Sequence, residues 1–192
     1  MKRIILIIVA VVLLLSAALV IFNWSAALVK FNRDKSQLKN DLDRYNRILD
    51  KDLPEDLTLT IYWVWGTIDT TTPISIENLV SIGYGIHQKT FVISSEEIAE
   101  HLGSMKQLNS STIQASNAEH YVDARLYYVL ETRGTQILTV SLNNYCSDDE
   151  NASVYLNGIK IKPNPALFEA IRPFLPEEDR EILDRKIEED SH

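Results

Sequence analysis

The chain has 192 residues and a net charge of −8, and its single cysteine excludes a fold held together by internal disulfides. This length is enough for one membrane element and one domain with its own core. Of the 19 Lys/Arg and 27 Asp/Glu, residues 1–50 hold eight and four, which leaves 11 and 23 for residues 51–192. Because the acidic part repels phosphate backbones, no nucleic acid is expected as a partner.

The first predicted element is an apolar helix over Ile4–Phe22, in which Ser16 is the only polar side chain. At about 1.5 Å per residue it spans roughly 28 Å, close to the ~30 Å hydrocarbon core of a bilayer. It has no polar face, and Trp24 follows at the position of an interfacial anchor. We therefore predict a transmembrane signal-anchor over residues 1–29, with the lipid bilayer as its partner through Ile4–Phe22. Cleavage at the small residues 25–27 is the alternative.

The basic residues on the two sides of this helix give conflicting signals about orientation. Lys2 and Arg3 precede it, whereas five Lys/Arg follow between residues 30 and 44. Counting these residues alone favours a cytoplasmic C-terminus. A short basic tail before a long apolar run is instead typical of an uncleaved signal anchor, and large domains cross membranes despite their charge. We expect a single-pass protein of the cell membrane with its C-terminal domain on the extracytoplasmic side.

Residues 30–52 are predicted to form a juxtamembrane helical stalk, because apolar residues recur there at three- and four-residue spacing. Lys35 breaks this pattern, and Pro54 ends the helix. Two interpretations remain open: the apolar stripe packs on the chain's own domain, or it pairs two copies as a short coiled coil, giving a homodimer through the stalk. The stripe consists of Leu28, Phe31, Leu38, Leu42, Tyr45 and Leu49.

Residues 53–192 are predicted to form the globular domain, in which segments of alternating or β-branched residues indicate strands. The pair Asn157-Gly158 is the strongest local signal, because both turn positions of a two-residue hairpin need positive φ. The predicted strands are Leu57–Trp65, Lys89–Ile93, Tyr121–Glu131, Gln136–Leu142 and the two arms of the hairpin Ala152–Lys162.

Helices are predicted between these strands and after them. A short one covers Ser75–Ser81. Ser94 and Glu97 form a capping box that opens another helix, which extends to about Met105. A helix with a buried stripe follows Asn164-Pro165, and a last amphipathic helix starts at Pro176.

The order of these elements predicts an α+β fold with a mainly antiparallel sheet and helices packed on one face. Most strands are joined by short connections, which favour antiparallel neighbours. The crossover that follows Lys89–Ile93 through the helix at Ser95–Met105 is the one place where a parallel pair remains open.

The histidines give no metal-binding pattern. His87, His101 and His120 are separated by 14 and 19 residues, whereas metal ligands on one element are two to four residues apart. Glu97 and His101 share a helix face, for which a solvated surface is the expected role. We therefore predict no catalytic residue, no metal and no cofactor. The alternative is a membrane-tethered hydrolase or metal-dependent enzyme whose site assembles from these three histidines across the fold.

Two loop features are also expected to have no catalytic or binding role. Cys146 precedes three acidic residues, which raise the pKa of a thiol and make it a poor nucleophile. The acidic segment 148–151 lacks the alternating ligands and central glycine of a calcium loop. Both are expected to lie in a solvated connection between strands.

The strand aromatics provide one weak candidate for an interaction site. Most of them are expected in the core of the sheet. If Tyr62, Tyr121 and Tyr127 are exposed together, they form an interaction patch, since exposed aromatic clusters mark binding surfaces.

The leading functional hypothesis from these patterns is a non-enzymatic binding or accessory domain, anchored in the membrane by a single helix. The enzyme assembled from the histidines is one alternative. The other is a sensor whose ligand changes the pairing of the stalk.

Overall fold

The computed structural model describes residues 2–51, 53–64, 74–81, 88–117, 124–142 and 153–189, with side chains from residue 14 to residue 185. Several of the residues considered above lie outside this part of the chain. They are Trp65, His87, His120, Tyr121, Cys146 and the acidic segment 148–151.

The described elements follow the predicted order. The helices are α1 (Lys2–Leu49), α2 (Ile76–Val80), α3 (Ser95–Glu100), α4 (Leu102–Met105), α5 (Ala166–Glu169), a 3₁₀ turn (Arg172–Phe174) and α6 (Glu177–Glu189). The strands are β1 (Thr58–Val64), β2 (Gln88–Ile93), β3 (Leu126–Thr132), β4 (Thr135–Leu142), β5 (Val154–Leu156) and β6 (Ile159–Ile161).

Helix α1 continues from the apolar N-terminal segment into the globular domain without a break. It is long and apolar enough to span a membrane: its described part, Leu14–Leu49, contains an 18-residue window with a mean hydropathy of 1.7 and no buried residue. Phe22 and Trp24 are 71% and 78% exposed, so the domain does not cover this surface. The apolar segment therefore has no protein environment among the described residues.

The C-terminal part of α1 belongs to the core of the domain. Leu38, Leu42, Tyr45 and Leu49 are at most 3% exposed and lie in the main apolar cluster. From Leu38 onward, therefore, the stripe packs on the chain's own domain, and these side chains are not free to pair two helices. A homodimer through the stalk stays a prediction that concerns the part of α1 before Leu38.

The six described strands form one antiparallel sheet with the order β2-β1-β3-β4-β5-β6. β2 pairs with β1 in antiparallel register, so the crossover after β2 does not create a parallel pair. The prediction of an α+β fold with an antiparallel sheet is confirmed.

Most helices cover one face of the sheet. Leu59, Ile61 and Trp63 alternate inward from β1 and meet residues of α1, α3, α5 and α6 in the main cluster. The short helix α2 differs, since its Leu79 packs with Val64 and Val129 in a small second cluster on the opposite face. The alternation of inward and outward side chains along the strands produces both clusters.

Two turns place non-glycine residues in the left-handed region. Asn157 and Gly158 have φ of 49° and 75°, as predicted for the hairpin of β5 and β6. Arg133 and Gly134, between β3 and β4, have φ of 50° and 69°. Arginine is not a preferred residue at positive φ. The sequence Arg133-Gly134 therefore predicts a turn but does not predict the left-handed backbone at Arg133.

Two predicted helices are shorter than expected. The helix opened by Ser94 breaks at His101, whose φ and ψ are −118° and 24°, and α4 resumes after it. Gly103 weakens helix propensity just beyond the break. The helix after Asn164-Pro165 stops at Glu169 and becomes a 3₁₀ turn that contains Pro173.

Candidate functional site

The structure brings together two of the three tyrosines proposed as an interaction patch. Tyr62 and Tyr127 are register partners on β1 and β3, and their rings stack with centroids 6.0 Å apart. Tyr127 is only 8% exposed, and its burial, followed by the proximity of Tyr62 and Glu131, raises its pKa. Tyr121 lies outside the described residues, so the patch stays a prediction that now depends mainly on half-buried Tyr62.

A small hollow lies beside this aromatic pair. It has a volume of about 270 Å³, and the hydroxyl-bearing residues Thr139, Ser141 and Tyr155 line its wall. Ile76 and Tyr127 supply its apolar side. Such a hollow can accept a neutral polar group, but its small size limits it to a side chain or a small fragment of a ligand.

His101 is exposed and contacts Phe174 edge-on, with ring centroids 5.5 Å apart. Among the described residues there is no group of three His, Cys, Asp or Glu side chains arranged to hold a metal ion. Because His87 and His120 are not described, the enzyme that would use all three histidines is not tested by this geometry.

An ion-pair cluster connects the edge strand β2 to α6. Lys89 Nζ donates to Asp179 Oδ1 at 2.7 Å and to Glu178 Oε1 at 3.1 Å. Burial works to lower the pKa of Lys89, but hydrogen bonds and attraction from the two carboxylates outweigh it, so this pKa is raised. Asp179 is fully buried, which makes the cluster a structural connection in the core.

A cleft lies between α1 and the segment that follows α4. Its volume is about 770 Å³, within the usual range for ligand sites. Leu38, Leu42, Ile113 and Ala115 are buried and form its apolar floor, and Phe31 lies at the end nearest the apolar segment of α1. We call it the juxtamembrane cleft, after the predicted juxtamembrane stalk that forms one of its walls.

Three lysines line the juxtamembrane cleft: Lys35 and Lys39 from α1 and Lys162 from the segment after β6. All three are exposed, and none forms an ion pair within the described part of the chain. The lining residues include no carboxylate. The cleft is therefore a local concentration of positive charge in an acidic domain.

The remaining polar groups of the cleft are neutral. Asn32 and Gln114 contribute amides. The hydroxyls of Ser110 and Ser111 donate within the protein, to Asp43 Oδ1 and Asn109 Oδ1. The ammonium and amide groups donate hydrogen bonds, so the arrangement suits an anion with several acceptor oxygens.

Sequence reasoning missed this cleft, although one signal pointed to it. Lys35 occupies the position at which the apolar stripe of α1 is interrupted. A charged residue on the buried face of a helix is an informative exception, because it needs a polar or open environment. The residues from 110 to 115 and Lys162 carry no comparable signal, since only the tertiary fold brings them to α1.

The fold and the cleft define an α+β domain that is continuous with a candidate membrane-spanning helix. Comparison with protein-family models, with curated proteins and with solved structures finds no match for this chain.

Proposed function

We propose that this protein is a single-pass membrane protein whose α+β domain acts as a non-enzymatic binding or accessory domain on the extracytoplasmic side. The observation that carries the proposal is the continuity of α1, which joins an exposed apolar segment directly to the core. A domain attached in this way stays at a fixed place beside the bilayer.

Contacts of α1 inside the domain support this rigid attachment. The Tyr45 hydroxyl donates to the Met105 carbonyl at 2.9 Å, and Asn46 Nδ2 donates to the Leu108 carbonyl at 2.9 Å. Burial raises the pKa of the Tyr45 hydroxyl far above its usual value, so the group stays a neutral donor. From Phe22 to Phe31, which is partly buried against the main cluster, the helix rises about 14 Å, and this rise sets the height of the first core contact above the apolar segment.

Extraction of membranes tests the anchor. We expect the full-length protein to stay in the membrane pellet after washes with high salt and with alkaline carbonate, and to be released by detergent, because an apolar helix of this length is held by the hydrophobic effect. Recovery of a water-soluble chain that lacks its first 25 or so residues would show that the segment is a cleaved signal.

Orientation is tested with single cysteines. On a Cys146→Ser background, Glu181→Cys places an exposed thiol on α6, and Lys2→Cys places one on the other side of the span. A membrane-impermeant maleimide added to intact cells is expected to label the chain with Glu181→Cys and to spare the matched chain with Lys2→Cys. The reverse pattern would place the domain in the cytoplasm.

A further inference from the structure

We propose that the juxtamembrane cleft binds the phosphate-bearing headgroup of an anionic lipid from the membrane that holds α1. The inference rests on the proposed membrane anchoring and names the ligand class for the binding domain. Three features carry it: three lysines that form no ion pair among the described residues, a mixed apolar and polar lining, and the distance of the cleft from the apolar segment.

Charge is the first feature. Lys35 and Lys39 are four residues apart on α1, where like charges destabilise a helix. Lys162 adds a third ammonium from the opposite wall. Since no carboxylate lines the cleft, a bound anion is the partner that would relieve this repulsion. Asp43 lies at the rim, where its Oδ1 accepts from the Ser110 hydroxyl at 3.2 Å.

The second feature is the mixed lining. A free phosphate is fully satisfied by donors and gains nothing from an apolar floor, whereas a lipid presents acyl chains next to its phosphate. Leu38, Leu42 and Ile113 form that floor within a few residues of the lysines. An amphiphile therefore uses more of this surface than an inorganic anion does.

The third feature is position. The helix surface stays uncharged through Val29, which is 70% exposed, and Phe31 opens the cleft two residues later. With the hydrocarbon edge anywhere between Phe22 and Val29, the rise to Phe31 is about 3–14 Å. The headgroup layer of one leaflet is about 5–7 Å thick. The lower end of the cleft thus lies in this layer or a short distance above it.

The wall opposite α1 is held in place before any ligand binds. Asn109 Oδ1 accepts from the backbone N–H of Ser111 at 3.0 Å, and the Thr112 hydroxyl donates to the Gln107 carbonyl at 2.6 Å. Asn164 Nδ2 donates to the Thr112 carbonyl at 3.0 Å and ties the same turn to the segment before α5. Such preorganisation lowers the entropic cost of binding.

The test compares two triple variants of the full-length protein in a neutral detergent. The cleft variant is Lys35→Gln, Lys39→Gln, Lys162→Gln. The control variant is Arg44→Gln, Lys51→Gln, Arg185→Gln, which removes the same charge from exposed positions that do not line the cleft. Both are first checked for an unchanged thermal unfolding midpoint without lipid. Native mass spectrometry then measures retention of dihexanoyl phosphatidylglycerol, of the zwitterionic dihexanoyl phosphatidylcholine, and of glycerol 3-phosphate as the headgroup alone.

We expect the wild-type and control proteins to retain the anionic lipid with clear preference over the zwitterionic one. The cleft variant should bind it at least about tenfold more weakly, since each lysine near an anionic surface contributes a factor of roughly five. Equal retention by the cleft and control variants would overturn the proposal, as would equal retention of the two lipids. Glycerol 3-phosphate binding as tightly as the anionic lipid would assign the cleft to a soluble anion and also overturn it.

Failure of this inference is distinct from failure of the proposed function. A protein that stays in the carbonate-washed pellet but shows no preference for anionic lipid would refute the lipid site alone. A water-soluble chain would refute the anchor.

Discussion

The pairing of Lys89 with Asp179 shows how a single buried carboxylate is accommodated in this core. Asp179 has no exposed surface, and moving an ionised carboxylate out of water is costly unless it is paired and hydrogen-bonded. Lys89 Nζ approaches both of its oxygens, at 2.7 Å and 3.0 Å. Glu178, the second partner of Lys89, is 75% exposed and remains hydrated.

Loss of the Lys89 ammonium should therefore lower the free energy of unfolding far more than loss of the exposed Glu178 carboxylate. We expect Lys89→Met to lower the free energy of unfolding by about 3 kcal/mol or more, because Asp179 is left buried without its counter-charge. Glu178→Gln, the matched control, should change it by less than about 0.5 kcal/mol. Urea denaturation of both variants measures the difference, and equal effects would show that burial of Asp179 does not control this site.

Arg172 and Asp184 form a second ion pair, which links the 3₁₀ turn to α6. Arg172 Nε donates to Asp184 Oδ1 at 2.8 Å, and Nη2 donates to Oδ2. The hydrogen bonds from Arg172 hold the pKa of Asp184 below its usual value, with a smaller opposing effect of burial. The folded protein therefore binds this proton more weakly than the unfolded chain does.

Because the pKa of Asp184 is lower in the folded protein than in the unfolded chain, the stability of the protein depends on pH. The stabilisation is fully present above the unfolded pKa of about 4 and is lost as the pH falls through the lower folded pKa. We expect Asp184→Asn to be less stable than the wild type at pH 7, with the difference disappearing near pH 2. Thermal unfolding across this range tests it, with Glu181→Gln, an exposed position on the same helix, as the control. A difference that persists unchanged at low pH would exclude the ion pair as its cause.

At the scale of elements, the structure confirms two predictions that depend only on neighbouring residues. The capping box is present: the backbone N–H of Ser94 donates to Glu97 Oε2 at 2.9 Å, and the Glu97 N–H donates to Ser94 Oγ at 3.3 Å. The Asn157-Gly158 turn has the predicted positive φ values. Each depends on residues within four positions of one another, so the sequence alone specifies them.

Loss of the cap should destabilise α3 in particular, since a helix of six residues has few other intrahelical bonds. We expect Ser94→Ala to lower the free energy of unfolding by about 1 kcal/mol. Glu96→Ala, an exposed change in the same first turn that is not part of the box, is the control and should have a smaller effect. Chemical denaturation of the two variants makes the comparison, and an equal loss would remove the cap as the explanation.

Elements that depend on distant contacts were not predictable in the same way. The break at His101 interrupts a helix whose apolar spacing, at Ile98, Leu102 and Met105, is regular. The Met105 carbonyl accepts a hydrogen bond from the buried hydroxyl of Tyr45, which lies sixty positions earlier in the chain. The juxtamembrane cleft is a further example, since Lys35 and Lys162 meet only through the tertiary fold.

At the scale of the whole molecule, the two ends of α1 lie in different environments. Its described side chains from Leu14 to Val29 are exposed and mostly apolar, whereas its last turns supply buried residues to the core. The sequence predicted both the span and the apolar stripe but left two interpretations of the stripe open. The structure decides between them from Leu38 onward because the stripe is buried by its own domain, which a pattern along one helix does not reveal.

Substitutions along α1 should separate these two environments. We expect Leu42→Ala to lower the free energy of unfolding of the detergent-solubilised protein by about 2–5 kcal/mol, because Leu42 is fully buried. Leu28→Ala is the matched control: this side chain is 55% exposed, so the domain should unfold as in the wild type. Near-UV circular dichroism during thermal unfolding reports the domain. A stable protein with Leu42→Ala would mean that the last turns of α1 are not integral to the fold.

The unbroken course of α1 also fixes the rotational position of the domain about the axis of this helix. Each residue inserted between Trp24 and Phe31 would turn everything beyond it by about 100° and lift it by about 1.5 Å. One added residue would therefore turn the opening of the juxtamembrane cleft to a different side of the helix axis. An insertion of seven residues would nearly restore the original direction of the opening while raising it by about 10 Å. The length of α1 therefore sets both the direction in which the cleft opens and its distance from the apolar segment.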